Sequence, residues 1–468
     1  MNKFEEYFMG KSVSLIGAGV SNLPLAGQLT KICSLVTVRD KKSRDELGEC
    51  ADTLEGLGAK LILGESYLDG INEDVVFRSP GIRPNIPELC EAVSRGTVLT
   101  SEMEFFLSLE PCRIYAITGS DGKSTTTTLT YLMLKSGNEH ETFLGGNIGK
   151  PLLDRYSAIH PEDSAAVELS SFQLMTIDAP VEVAAITNVT PNHLNWHTSM
   201  DEYIEAKKHV LRHASRAVLN YDNEVTRNIA EEMQKTSTPV TLFSLSPIPD
   251  TALRNVDSKV WLENDIIYAC FPECGKVEIM PRKAIKLPGL HNTANYMTAV
   301  AVTWGRTTPE KIREIASTFG GVEHRLEFVR EVGGVSYING SIDSSPTRTA
   351  AALSAINDRP VVLIAGGYDK HIPYEPLADA VYSSSVHTVV LTGDTAAAIK
   401  KALTENEKYS SSGLKIIDAD SFEAAVRLAA QNARPGDTVI LSPASASFDR
   451  FKNFEERGKY FKKLVNEM

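Results

Sequence analysis

The stretch RIYAITGSDGKSTTTTLTYLMLKSG, residues 113–137, leaves few folds open to this chain. An apolar run of strand character breaks at Gly119 and Gly122, and a long segment of helical spacing follows. Strand, glycine loop and helix in that order open a parallel α/β layer, with the loop's N–H groups turned inward against a helix N-terminus. Such a loop holds phosphate. Lys123 reaches the outer phosphates and Ser124 is placed to ligate Mg²⁺. The full pattern wants a further glycine two residues before Gly119, where Ile117 stands, so the loop is a variant. Gly119, Ser120, Asp121, Gly122, Lys123, Ser124 and Thr125 form the candidate phosphate site.

The same alternation runs along the whole chain. SVSLIGAGV, SLVTVRD and DVVFRSPG read as strands in the first hundred residues, and SAAVELSSFQL and VEVAAITNVTPNH follow the phosphate loop. Between about Val240 and Ile285 the pattern shortens and alternates, which predicts a small antiparallel sheet appended to the central part. GVSYING, PVVLIAGG, HTVVLTG and DTVILSPAS supply strands near the end. The expectation is an α/β protein of three domains: a Rossmann-like domain at 1–101, a phosphate-loop ATPase-type domain at 102–322 with a mainly parallel sheet, and a second Rossmann-like domain at 323–468. A length of 468 residues agrees, at about 150 residues per domain.

Residues at the carboxyl ends of parallel strands share a crevice. Glu168 ends one strand and His193 follows another, so both are expected beside the phosphate loop as partners for Mg²⁺. Singly, the one reads as a capping residue and the other as a loop histidine. Pro191 and Asn192 argue against a helix presenting His193 and His197 together. In the first domain, Gly17-Ala18-Gly19-Val20-Ser21-Asn22 lacks the third glycine of a dinucleotide loop. Asp40, Lys41 and Ser79 lie at the ends of neighbouring strands, where a nucleotide-type ligand fits.

Charge and cysteine content narrow the classes. Basic residues number 48 against 60 acidic, a net charge of −12, and no Lys/Arg run exists to wrap nucleic acid. No apolar stretch approaches the roughly 18 residues that span a bilayer, and the first residues, MNKFEEYFMGKS, lack the apolar core of a secretion signal. Cys270 and Cys274 form a C-x3-C without the second pair that zinc wants, and the other cysteines are scattered. A cytoplasmic monomer without nucleic-acid or membrane partners is expected.

The combination TGSDGKST, GGNIGKP, ELSSFQL, NVTPNHL, YIEAKK, GLHNTANYMTA and EHRLE resembles the Mur ligases of bacterial cell-wall synthesis, with matching motifs in all three blocks. That resemblance implies an ATP-dependent ligase of peptidoglycan synthesis that joins an amino acid to a UDP-sugar acceptor through an acyl phosphate. The substrates it implies are UDP-N-acetylmuramoyl-L-alanine and D-glutamate. By the same resemblance, Lys123 would hold ATP phosphates, and Ser124, Glu168 and His193 would bind two Mg²⁺ ions. Lys207 in YIEAKK matches a lysine carbamylated in the family, although by itself it reads as a solvated helix residue beside Lys208. Asn292, Asn295 and Arg325 match ATP-site positions; Val20, Ser21, Asp40, Lys41, Ser79 and Asn147 match positions along the UDP-sugar. Ser344, Lys370, Ser447 and Phe454 match the amino-acid pocket.

One segment departs from the family. The usual D-S-K-A-T-N is here Gly340-Ser341-Ile342-Asp343-Ser344-Ser345, so the acid and the lysine are lost and Asp343 is the candidate to replace the acid. Three other readings compete. A Mur-type or folylpolyglutamate-type ligase of different amino-acid specificity shares the central chemistry, but the folate ligase would lack a uridine-binding first domain. A nicotinamide oxidoreductase would use the GAG loop, against which the missing third glycine counts. A nucleotide sensor would have lost Glu168 or Lys207, and both are present.

Overall fold

The computed structural model describes residues 2–19, 22–194, 196–249, 256, 258–287, 289–356, 359–370 and 372–468. Residues 1–318 pack as one compact unit and 319–468 as a second.

The first unit holds two sheets. Strands β1 (Ser12–Ile16), β2 (Leu35–Asp40), β3 (Lys60–Leu63), β4 (Val75–Arg78) and β5 (Val98–Thr100) form an all-parallel sheet in the order β3-β2-β1-β4-β5. β1 and β4 are buried almost throughout, as their largely apolar residues require. The strand order reverses between these two, and the loops after them therefore diverge and leave a crevice.

The second sheet has nine strands: β6 (Arg113–Thr118), β7 (Thr142–Gly146), β8 (Ser164–Glu168), β9 (Val181–Ile186), β10 (Ala214–Asn220), β11 (Val240–Ser244), β12 (Ser258–Glu263), β13 (Ile266–Phe271) and β14 (Gly275–Pro281). Their order is β14-β13-β12-β11-β10-β9-β6-β8-β7. The antiparallel strands expected near 240–285 are present, joined to the large sheet. β12 pairs in parallel with β11, and β13 and β14 continue antiparallel from it, so these strands extend the large sheet. The ladder of β11 would otherwise end as an open edge, which β12 fills.

One hydrophobic cluster runs through both sheets, from Val13 and Val75 to Ala116 and Val167. Phe105, on the helix Glu102–Ser108 between the sheets, lies 4.8 Å from Phe8 and 5.8 Å from Phe77 by ring centroids. Helices Lys123–Gly137 and Leu290–Thr303 cover the second sheet, the latter buried along most of its length.

The second unit is built on β15 (Glu327–Val332), β16 (Val335–Asn339), β17 (Val361–Ala365), β18 (Val386–Leu391), β19 (Lys415–Asp418) and β20 (Thr438–Leu441). The order is β15-β16-β20-β17-β18-β19, parallel except for β15. Leu363 and Ala365 enter one apolar cluster, Val362 and Ile364 another, so the strand alternation feeds a core on each face.

Candidate active site

The phosphate loop leaves β6 and enters the helix Lys123–Gly137. Glycine is required twice. Gly119 has φ 147° and a Cβ there would meet Thr187 Oγ1 at 1.9 Å; Gly122 has φ 78° and its Cβ would meet Asn295 Oδ1 at 2.2 Å. The loop is pinned from the β9 side. Thr187 Oγ1 donates to the Asp121 carbonyl (2.6 Å), Asp121 N–H donates to Asn188 Oδ1 (2.9 Å), and Ser120 Oγ donates to the Thr190 carbonyl (2.9 Å). Lys123 Nζ folds over the loop onto the carbonyls of Gly119 (3.0 Å) and Ser120 (2.9 Å). Ser124 is buried at the start of the helix and Thr125 is half-buried.

Lys207 is not the solvated helix residue it resembles in isolation. It lies on the helix Met200–Lys208, only 1% exposed, and donates to the Gly119 carbonyl at 2.6 Å. Burial, with Lys123 nearby, holds its pKa well below the usual lysine range. Glu168, at the end of β8 and 1% exposed, accepts from Asn147 Nδ2 (2.9 Å) through Oε1, while its buried Oε2 has no hydrogen-bond partner among the described residues. An orphaned carboxylate oxygen is costly unless something cationic takes it. His193 has φ 55°, and burial followed by the nearby charge of Lys123 lowers its pKa. Among the described residues no three His, Cys, Asp or Glu side chains cluster to hold a metal ion. The unpartnered Glu168 oxygen is the buried donor here left to take a cation, with His193 on the loop after β9.

Asn292 and Asn295 are buried on the first turns of Leu290–Thr303, and Asn295 Oδ1 accepts from Thr126 Oγ1 (3.3 Å), so both stand beside the phosphate loop. Both ring nitrogens of His197 are engaged: its Nε2 meets Ser171 Oγ (2.9 Å) and its Nδ1 meets Glu202 Oε2 (3.3 Å).

At the crevice of the first sheet, Asp40 Oδ2 accepts from Ala18 N–H (2.7 Å), and Ser79 Oγ donates to the Ile16 carbonyl (2.6 Å). Lys41 is exposed beside them. Asn22, in place of the third glycine, donates to the carbonyls of Ile16 (3.2 Å) and Gly17 (2.8 Å), so it ties the loop where a glycine would have let the helix approach. Gly19, Asn22, Arg78, Ser79 and Gln173 line a cavity of about 220 Å³ here. Val20 and Ser21, expected in the same loop, lie outside the described residues.

In the second unit, the loops after β16, β17 and β20 gather around Arg457, which sequence reasoning passed over. Its buried guanidinium donates to Ser341 Oγ (3.1 Å) and to the carbonyls of Ser341 (3.0 Å), Ser445 (3.1 Å) and Ala446 (2.9 Å). Its signal was the arginine of FEERG, an ordinary surface residue until the helix Phe454–Asn466 packs. Ser447 is buried in the loop after β20, Phe454 and Ser344 are half-buried, Lys370 is exposed in the loop after β17, and Arg325 follows a left-handed His324. Asp343 is buried, accepts from Ser442 Oγ (2.8 Å), and burial pushes its carboxyl up to about 7. Its Oδ2 lies 2.6 Å from where a Cβ on Gly340 would stand.

A phosphate loop flanked by a buried lysine, a half-satisfied glutamate and a histidine defines a nucleotide-dependent enzyme. The sequence matches the Mur ligase middle domain over residues 117–303 and the Mur ligase glutamate ligase domain over 324–445. It is 44% identical, over 100% of this chain and 99% of the relative, to a UDP-N-acetylmuramoylalanine–D-glutamate ligase of Ruminiclostridium cellulolyticum. One of that name from Clostridium perfringens is 42% identical, over 99% of this chain and 98% of the relative. The chain belongs to the Mur ligase family. The fold is shared with a UDP-N-acetylmuramate–alanine ligase of Thermotoga maritima, at TM-score 0.52, 17% identity and coverage of 98% of this chain and 99% of that one. No described helix is long and apolar enough to cross a membrane.

Proposed function

We propose that this ligase joins D-glutamate to UDP-N-acetylmuramoyl-L-alanine at the expense of ATP. The convergence of Lys123, Lys207, Glu168 and His193 on the phosphate loop carries the reading, and full-length relatives of that activity support it. The division of labour follows the chain: residues 1–101 take the UDP-sugar, 102–322 take ATP, and 323–468 take the amino acid.

A carboxylate does not condense with an amine, because oxide would have to leave. The acceptor carboxylate therefore attacks the γ-phosphorus of ATP, ADP leaves, and the acyl phosphate supplies a better leaving group. Such a transfer is mostly positioning and charge neutralisation, for which Lys123 is placed. Bound Mg²⁺ would neutralise phosphate charge, held by Ser124, Glu168, His193 and, once carbamylated, Lys207. Only a neutral amine adds CO₂, and burial disfavours the charged form of Lys207. The amine of D-glutamate, bound by Ser344, Lys370, Ser447 and Phe454, then attacks the acyl carbon and phosphate departs. The amine sheds a proton as the amide forms. Asn292, Asn295 and Arg325 hold the nucleotide; Asp40, Lys41, Ser79 and Asn147, with Val20 and Ser21, hold the UDP-sugar.

The test is phosphate release by purified protein given ATP, UDP-N-acetylmuramoyl-L-alanine and a panel of D- and L-amino acids. D-glutamate is expected to support turnover, and Lys123→Ala to lower it by about a thousandfold or more with the melting temperature unchanged. Turnover with L-lysine or diaminopimelate in place of D-glutamate overturns the specificity.

A further inference from the structure

The loop after β4 is fastened to the elements that carry His193 and Lys207 by contacts the chemistry above does not use. Arg83 is their centre. Its guanidinium bonds Glu202 through two nitrogens, at 2.6 and 3.2 Å, donates to the Trp196 carbonyl, and lies 4.9 Å from the Trp196 ring. The Trp196 indole N–H returns to the Gly81 carbonyl at 3.0 Å. Glu202 belongs to the helix Met200–Lys208 and also accepts from Thr198 N–H (2.8 Å). At the base of the loop the buried Arg78 donates to the Phe172 carbonyl (3.1 Å), and the Phe172 ring lies 4.9 Å from His193 and 4.5 Å from Trp196.

His193 gives these contacts their meaning. A non-glycine residue at φ 55° is strained and persists where its surroundings over-determine it. Those surroundings are Phe172 and Trp196, and both are tied to the loop that begins with Ser79. Ser79 and Pro80 line the cavity at the switch point of the first sheet. A group bound there bears on the backbone whose Gly81 carbonyl holds the Trp196 indole.

We infer that Arg83 and Trp196 are positioning residues that couple occupation of the crevice at Ser79 to the placement of His193. The inference rests on the reading that this crevice takes the uridine nucleotide. Charge-assisted, bidentate and four-fifths buried, the Arg83–Glu202 pair transmits position better than an exposed ion pair does.

The chain has three tryptophans, so Trp261→Phe with Trp304→Phe leaves Trp196 as sole reporter. In that parent, uridine diphosphate is expected to bind by calorimetry and to change Trp196 fluorescence. Arg83→Ala should lose most of that change and lower kcat by about tenfold or more, with the KM for ATP and the melting temperature held. Arg83→Lys, which cannot bond in a fork, should recover only part. Trp196→Phe, made in the natural chain, keeps the ring and removes the donor; it should lower kcat likewise and decides the matter if Arg83→Ala does not fold. A fluorescence response and a kcat within about twofold of the parent in these variants overturn the coupling while the nucleotide reading stands. Failure of uridine diphosphate to bind the parent overturns both.

Discussion

Lys207 and Lys123 both donate to the carbonyl oxygen of Gly119, at 2.6 and 3.0 Å. Burial, ahead of the repulsion from Lys123, holds the pKa of Lys207 down. Its folded pKa lies below the unfolded 10.5, so the folded state binds fewer protons and stability falls as pH drops below that value. Lys207→Met is therefore expected to abolish turnover while raising the melting temperature at pH 7 more than at pH 10, by thermal denaturation. Equal shifts would mean the amine is charged in the fold. Residue identity made the phosphate loop legible in the sequence, because Gly119, Gly122 and Lys123 have few other uses together. Arg83, His197 and Arg457 were illegible: each is an ordinary residue type whose role is set by partners far along the chain. Asp343 was legible only as a candidate, and its carboxylate oxygen occupies the space beside Gly340. Gly340→Ala should cost about 1–3 kcal/mol in urea denaturation, less in an Asp343→Ala background.

At the scale of elements, the strands buried on both faces announced themselves. β1, β4, β6, β8, β9 and β17 are mostly apolar and buried along nearly their whole length. β3, β5 and β19 are short edge strands with exposed or half-exposed residues, and their pattern merges with that of the loops. Pairing partners were also hidden: the alternation near 240–285 announced antiparallel strands but not that β12 would join them to β11. The helix Glu102–Ser108 carries a further consequence of burial. Glu104 accepts from Thr176 Oγ1 (2.8 Å), but its carboxyl is pushed up to about 7 by burial. The fold thus favours its protonated form, and the stability this group contributes is lost as pH rises from 4.5 to about 7. Glu104→Gln should stabilise the protein by up to about 3 kcal/mol at pH 8 and by little at pH 4.5, measured by urea unfolding. A pH-independent effect would place the carboxylate in water.

Across the whole molecule, the second unit has apolar clusters on both faces of its own sheet. Residues 319–468 expressed alone are expected to unfold in one cooperative transition by circular dichroism. A broad, non-cooperative melt would show that the unit borrows its core. The central sheet carries a different lesson in its order, β14-β13-β12-β11-β10-β9-β6-β8-β7. From β9 to β14 each strand lies outside the one made before it. As the ribosome delivers this chain, every new strand therefore meets an edge already waiting, and the sheet grows outward in the order of translation. Until β14 arrives that edge is open to other nascent chains. The strand that closes it carries exposed Lys276 and Glu278, charges that make it a poor template for another strand.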